Sequence, residues 1–549
     1  MRLKFSQFFA LLLFPFALAA QSDNPPQNWF LMDSQDGFQG VSAERTYKEL
    51  LADKKGRTVV VAVIDSGVDV EHEDLRDVVW TNTDEIPGNG IDDDRNGYVD
   101  DVHGWNFLGN ADGTNVNEEQ LEVTRLLRFY RQKFDGMSED QIKGKKAKRQ
   151  YALYQKIEKE VSENRDKNMT RAATYEGILK SVDQISAALG KPAAKIMKAD
   201  MMDLKTDDEM VSGMATRMAS QMDDETSLAD IRGEIEGAYN YFYNQAMYYY
   251  NPDINPREAV GDNYADSYEK GYGNPDPEGP DAMHGTHVAG IIAATRGNKV
   301  GMDGVADNVQ IMSIRAVPDG DEHDKDVANA ILYAVDNGAS IINMSFGKGY
   351  GWDKEAVDKA VKYAEKNDVL LVHAAGNSSQ NNDNTDNFPN DGFVRKGFFG
   401  KLFGSKYADN WIEVGALNFK QGEDTPAPFS NYGKENVDLF APGVKIYATV
   451  PGDEYAWLQG TSMASPVVAG TAAVLRSYYP TLTAAQVKEI LMDTTVPLNV
   501  KVKQPGTDEM VNFSDLSVSG GVVNVYRAVQ KAETTKGKKK GVSMDNARP

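Results

Sequence analysis

Cysteine is absent from all 549 residues. That excludes a disulfide framework, a thiolate metal site and a cysteine nucleophile, so any covalent catalysis must use oxygen or nitrogen. Histidine is scarce, and His72, His103 and His323 lack partners at ligand spacing, which argues against zinc. Basic residues are outnumbered, 59 against 82 acidic ones, for a formal net charge of −23. Nucleic acid and anionic membranes need a basic footprint, so neither is an expected partner. Beyond the N-terminus no apolar run is long enough to span a bilayer.

What is present begins at that N-terminus. Arg2 and Lys4 precede an apolar run over 8–18 that ends in Ala17-Leu18-Ala19-Ala20. This basic, apolar, small-residue order predicts a signal peptide over 1–20 and export to the periplasm or the medium. An uncleaved anchor is disfavoured because the run is short and contains Pro15.

Residues 58–64 (TVVVAVI) form a continuous β-branched run, as expected of a strand buried on both faces. Further short apolar runs fall at 309–317, 340–345, 369–374 and 411–416, with helical spacing at 327–335 and 356–364 between them. The alternation predicts an α/β fold, a doubly wound and mostly parallel sheet, over 57–107 and 281–530. It fails over 108–280, where Val123, Leu127, Tyr130 and Phe134 recur at helical steps. So do Leu228, Ile231, Ile235, Tyr239 and Phe242, and the stripe Met210, Met214, Met218 and Met222. This block is read as an inserted all-helical subdomain, its methionines packing between helices. Residues 21–56 are an N-terminal extension, and the basic tail over 531–549 is assigned no function.

Asp65 directly follows the first strand, in VAVIDSGVD. In open α/β sheets the carboxyl ends of the strands are where functional groups collect. His284 opens a small-residue helix in MHGTHVAGIIAA, and Ser462 opens another in GTSMASPVVAG. A serine at a helix N-terminus benefits from free N–H groups and the helix dipole when negative charge develops. Histidine can take the serine proton, aspartate can orient the imidazole, and serine can attack a carbonyl carbon. Asn377, in HAAGNSS, offers an amide donor for the oxyanion; a simple turn residue is the plain alternative. His287, one turn after His284, is read as a packed helix residue, and His373 as a core histidine.

DSGVD, HGTHVAG and GTSMASP, in the order Asp, His, Ser, resemble the subtilase family, and that order is subtilisin's own. The resemblance implies a serine endopeptidase acting on polypeptides through an acyl-enzyme, with no cofactor for chemistry. It also implies that Ser345, Phe346 and Gly347 pair with substrate backbone and that Ala374, Ala375 and Gly376 wall the primary pocket. Sedolisins share the fold but replace this His and Asn, so His284 and Asn377 exclude that branch. Two departures stand out: 219 positions separate Asp65 from His284, and fewer than forty residues lie between Ala20 and the first strand. The first places the helical block beside the catalytic rim, where it is expected to shape or cover the cleft. The second leaves too little chain for a folded pro-segment with its linker.

One more motif carries chemistry. In GNGIDDDRNGYVDD, residues 88–101, Asp92, Asp94, Asn96, the Tyr98 carbonyl and Asp100 follow the start of an EF-hand loop. The match breaks at the twelfth position, where His103 stands, so another acid such as Asp101 would complete the shell. A structural Ca2+ is expected, because so many adjacent carboxylates repel without a cation; an acidic surface turn is the alternative. Two functions compete with broad hydrolysis: a catalytically silent calcium-stabilised binding protein on this scaffold, and a narrow processing protease. The sequence assigns neither oligomeric state nor side-chain preference.

Overall fold

The computed structural model describes residues 24–397 and 405–539. The signal peptide expected over 1–20 lies outside the described residues. The described chain divides into two compact units, one of residues 155–251 and one of 25–154 with 252–397 and 405–539.

The larger unit is built on a nine-stranded sheet. Its principal strands are β1 (Val59–Asp65), β2 (Gly104–Asn106), β3 (Val309–Arg315), β4 (Ile341–Met344), β5 (Leu370–Ala374), β6 (Trp411–Leu417) and β7 (Leu439–Pro442). Their spatial order is β7-β6-β5-β4-β1-β3-β2, every neighbouring pair parallel. Two short strands, Val496–Pro497 and Gly521–Val522, extend the edge beyond β7.

β1 reads as an uninterrupted apolar run because both of its faces are covered. Successive side chains point to opposite faces. Val61 and Val63 accordingly join one core with Val288, Ile292, Val467 and Val468, from the helices Met283–Ala293 and Thr461–Tyr478. Ala62 and Ile64 join a second core with Val327 and Ile331, from the helix Asp324–Asp336, and Val357 and Val361, from Lys354–Lys366. Both layers are what a doubly wound sheet requires.

Chain direction across the sheet reverses at β1. The chain places β3 on one side of β1 and then crosses to place β4 on the other. Such a reversal opens a crevice at the carboxyl ends of the two strands. Asp65 ends β1, and Ser345 follows β4.

In the helical unit, Val182, Ile185, Ile196, Val211, Ala215, Leu228, Ile231 and Ile235 form a core of their own. Its helices start on side-chain caps: Asp208 accepts from the Met210 and Val211 amides, and Ser227 from Asp230. Of the methionine stripe, Met218 and Met222 are buried and Met214 packs against them. Met210 departs from the expectation and is 75% exposed. It lies one residue off the face that Val211, Ala215 and Met218 turn into the core.

Candidate active site

Asp65 is 1% exposed, and its Oδ1 lies 2.6 Å from Nδ1 of His284. The same oxygen accepts the Ser66 amide at 2.8 Å, while Oδ2 is buried with no hydrogen-bond partner. His284 stands in the first turn of its helix. Gly285 makes that approach possible: a Cβ there would collide with the Gly67 carbonyl and come within 3.1 Å of Asp65 Cβ. A carboxylate at Nδ1 fixes the proton on that nitrogen and leaves Nε2 as the base. Burial works against a charged imidazole, but the Asp65 carboxylate outweighs it, and the His284 pKa is raised above its ordinary value.

Ser462 lies in the first turn of Thr461–Tyr478. Its hydroxyl donates to the Ser345 carbonyl at 3.0 Å, and among the described residues no hydrogen bond joins it to His284. Rotation about the Ser462 Cα–Cβ bond would redirect that hydroxyl. Catalytic hydrogen bonds often close only when substrate is present.

Asn377 follows β5. Its Oδ1 accepts the Thr461 amide at 2.8 Å and the Thr461 hydroxyl at 3.0 Å. A backbone N–H can only donate, so the atom facing it is the amide oxygen and Nδ2 is turned the other way. A Cβ added to Gly460 would sit 3.3 Å from Asn377 Nδ2 and 3.5 Å from the Ser462 amide nitrogen. Two donors therefore border one small space that glycine leaves empty, beside the Ser462 side chain. An oxyanion needs such a pair of fixed donors.

Among the expected cleft residues, Ser345 is buried, and its hydroxyl donates to the Ser462 carbonyl at 2.9 Å. Phe346 packs edge-on against His373, with ring centroids 6.2 Å apart. Gly347 is exposed. Ala374 and Ala375 are buried, and the Ala375 carbonyl accepts amides from Asn382, Asn387 and Asn431 at 3.0, 3.2 and 2.9 Å. Gly376 is half-buried and donates to Thr461 Oγ1 at 3.1 Å.

His287 donates from Nε2 to the Ile446 and Ala456 carbonyls, and burial lowers its pKa to about 4. It is a neutral packing residue. His373 is buried against Glu413, 2.9 Å away.

The acidic loop is arranged differently from the expected shell. Glu85, Asp92 and Asp94 bring one carboxylate oxygen each within 4.8 Å of one another. Asp100 turns away, accepting the Asn89 and Gly90 amides at 3.1 and 2.8 Å. Tyr98 buries its ring against Trp105, Phe107 and Tyr333. Asn96 accepts the Tyr98 amide and donates to Asp94 and Asp101. Asp101 is fully buried on Asn82, Asn96 and Tyr333, and burial pushes its pKa up to about 6. Three clustered hard-oxygen ligands fit Ca2+ by chemistry. Sequence reasoning missed Glu85, because the template runs forward from Asp92 and Glu85 precedes it.

Sequence reasoning also missed Thr461, which orients the Asn377 amide, and a cavity of about 260 Å3 that Asn387, Asp391 and Glu413 line. The position of Thr461 beside Ser462 was the available signal for the first. The second joins residues from separate loops.

Comparison with known proteins agrees with this architecture. Residues 56–515 match the family model described as the subtilase family. Subtilisin DY of Bacillus licheniformis is 41% identical over 219 residues, 39% of this chain and 71% of that protein. A thermophilic serine proteinase of Bacillus sp. (strain AK1) is 40% identical over 35% of this chain and 42% of its own length. An intracellular serine protease of Paenibacillus polymyxa is 35% identical over 47% of this chain and 73% of its own. With a match that spans most of its length, this chain belongs to the subtilase family of serine-type endopeptidases.

Proposed function

We propose that this protein is an exported endopeptidase whose nucleophile is Ser462, whose base and then acid is His284, and whose orienting carboxylate is Asp65. The observation that carries this reading is the 2.6 Å contact between Asp65 and His284 Nδ1. With the proton held on Nδ1, Nε2 would carry the proton transfer. In the acylation step, Ser462 Oγ forms a bond to the scissile carbonyl carbon and passes its proton to Nε2. The Asn377 amide and the Ser462 N–H receive the oxyanion. Collapse breaks the C–N bond, the leaving amine takes the proton from His284, and water repeats the cycle in reverse to release the acyl group. Asp65 steadies the imidazolium.

Ser345–Gly347 and Ala374–Gly376 would border the bound peptide, an extended chain pairing along an exposed strand-like segment. Ca2+, held by Glu85, Asp92 and Asp94, would be structural and would take no part in the chemistry. The helical block is read as an insertion, since the family match runs from before it to beyond it. Export rests on the N-terminal run; one relative is named an intracellular protease, so family membership alone assigns no compartment. Among the described residues no helix is long and apolar enough to cross a membrane.

The deciding experiment pairs casein hydrolysis with fluorophosphonate labelling. Wild type should hydrolyse casein and label at Ser462, and Ser462→Ala should do neither. Full casein hydrolysis by Ser462→Ala would overturn the assignment, and a wild type that never labels would mark a silent scaffold. Sequencing the mature N-terminus from the periplasm or the medium tests export.

A further inference from the structure

Lys348 immediately follows the Ser345–Gly347 segment, yet its side chain is completely buried. Lysine is almost never fully buried without partners. Its three protons meet three acceptors: Glu122 Oε2 at 3.0 Å, Asp324 Oδ1 at 2.7 Å and the Glu322 carbonyl at 2.6 Å. Each of those is itself anchored. Arg125 donates to the same Glu122 oxygen at 2.6 Å and also to the Glu322 carbonyl at 2.9 Å. The Glu122 amide donates to Asp321 Oδ2 at 2.8 Å. Asp324 Oδ2 accepts the Trp352 and Asp353 amides at 2.7 and 2.6 Å. Burial opposes the ammonium's charge, but Asp324 and Glu122 more than offset it.

The backbone of Lys348 is pinned as well. Its amide and carbonyl exchange hydrogen bonds of 2.9 Å with Phe388. The neighbouring Asn387 donates to the Ala375 carbonyl on the opposite wall. A Cβ on Gly347 would come within 2.8 Å of Asn387 Oδ1. Lys348 thus joins four pieces of chain: the segment after β4, the loop at 387–388, residues 322–324 at the start of the helix Asp324–Asp336, and the first turn of the helix Glu122–Phe134, which lies in the long interval between Asp65 and His284.

We infer that Lys348 is a positioning residue that holds the substrate-pairing segment Ser345–Gly347 in register by clamping it to Glu122, Glu322 and Asp324. This rests on the function proposed above. A buried ion pair is weak evidence for stability. Its consequence here is geometric: the extended segment beside Ser462 takes its position from a residue 226 positions earlier in the chain.

The test compares two reactions of the full-length protein. A tetrapeptide substrate must pair with the segment, whereas a fluorophosphonate reaches Ser462 without any peptide backbone. In Lys348→Met, kcat/KM for the tetrapeptide should fall about tenfold, chiefly through KM, while the labelling rate changes by less than about twofold. Equal losses in both reactions, or undiminished tetrapeptide turnover, would overturn the inference. Should Lys348→Met lack a native circular dichroism spectrum, Glu122→Gln replaces it. Glu122→Gln keeps the Asp324 and Glu322 contacts, and a selective loss of about threefold is expected. No selective loss in that variant overturns the inference equally. A wild type that fails to label would instead sink the underlying assignment of Ser462.

Discussion

Ser345 and Ser462 hold each other reciprocally: the Ser462 hydroxyl donates to the Ser345 carbonyl at 3.0 Å, and the Ser345 hydroxyl donates to the Ser462 carbonyl at 2.9 Å. Because the Ser345 proton is used in that bond, the Ser465 hydroxyl 2.8 Å away must donate to Ser345, as does the Asn343 amide at 2.9 Å. One buried hydroxyl therefore ties β4 to the helix that carries Ser462. Ser345→Ala leaves those donors short of an acceptor, and the variant should lose about 1–3 kcal/mol of stability. Denaturant unfolding monitored by tryptophan fluorescence would read this; an unchanged midpoint would refute it.

On the proposed function, Asn377 would act through the one amide that Thr461 orients. Asn377→Leu should lower kcat by about 10²–10³ with little change in KM, the size of the corresponding loss in subtilisin itself. Thr461→Val keeps the backbone donor and removes only the hydroxyl, so a milder loss of kcat, about three- to tenfold, is expected. A Thr461→Val enzyme as impaired as Asn377→Leu would mean that the hydroxyl does more than orient the amide.

The acid limb of the pH–rate profile follows from His284. Burial lowers its pKa and Asp65 raises it more, so the free enzyme must lose that proton above the ordinary histidine value, about 6.5, before Nε2 can act as base. In wild type, kcat/KM should rise through a pH above that value. Asp65→Asn removes the opposing charge, which moves the limb down and lowers kcat by about 10⁴. For stability the sign is separate. The contribution of the Asp65–His284 pair is full below about 6.5, the unfolded value, and is lost as pH rises through the higher folded one. A wild-type limb below about 6 would contradict the assignment.

Calcium should act on stability alone. At a concentration one hundredfold above its Kd it would add about 2.7 kcal/mol, visible as a rise in Tm. Chelation should reverse that rise, and Glu85→Gln or Asp94→Asn should abolish it while leaving initial rates at low temperature intact. An Asp100→Asn variant should retain the calcium response, since the carboxylate cluster is formed by Glu85, Asp92 and Asp94 and does not include Asp100. If Asp100→Asn abolished the response and Glu85→Gln did not, the shell expected from the EF-hand pattern would be restored.

What could be read from the residues and what could not differ in range. β1 was legible because its pattern is local: a run apolar at every position has to be covered on both faces. The small residues around His284 and Ser462 were legible for the same reason, since close helix packing leaves a local signature. Glu85 was not, because an EF-hand pattern counts forward and the fold turns the chain back. Lys348 was not, because its reason for burial lies at Glu122, far away in the chain, and a lysine after glycine reads as solvent-facing. The Met210 stripe failed at its first member because the buried face of that helix is centred on Val211, Ala215 and Met218, one residue round from Met210.

The parallel pairing of β1 with β3 sets Val59 against Val309. Loop-closure entropy grows only with the logarithm of length, so even an eightfold longer connection costs about 2 kcal/mol at equilibrium. Rate is another matter, because contact order governs how soon such partners meet. The helical block can therefore enlarge without much effect on the folded state, yet it postpones the meeting of Asp65 and His284 until about half of the chain has been made. On the proposed assignment, a hydrolase assembled in that order would be inert through the early part of its own synthesis.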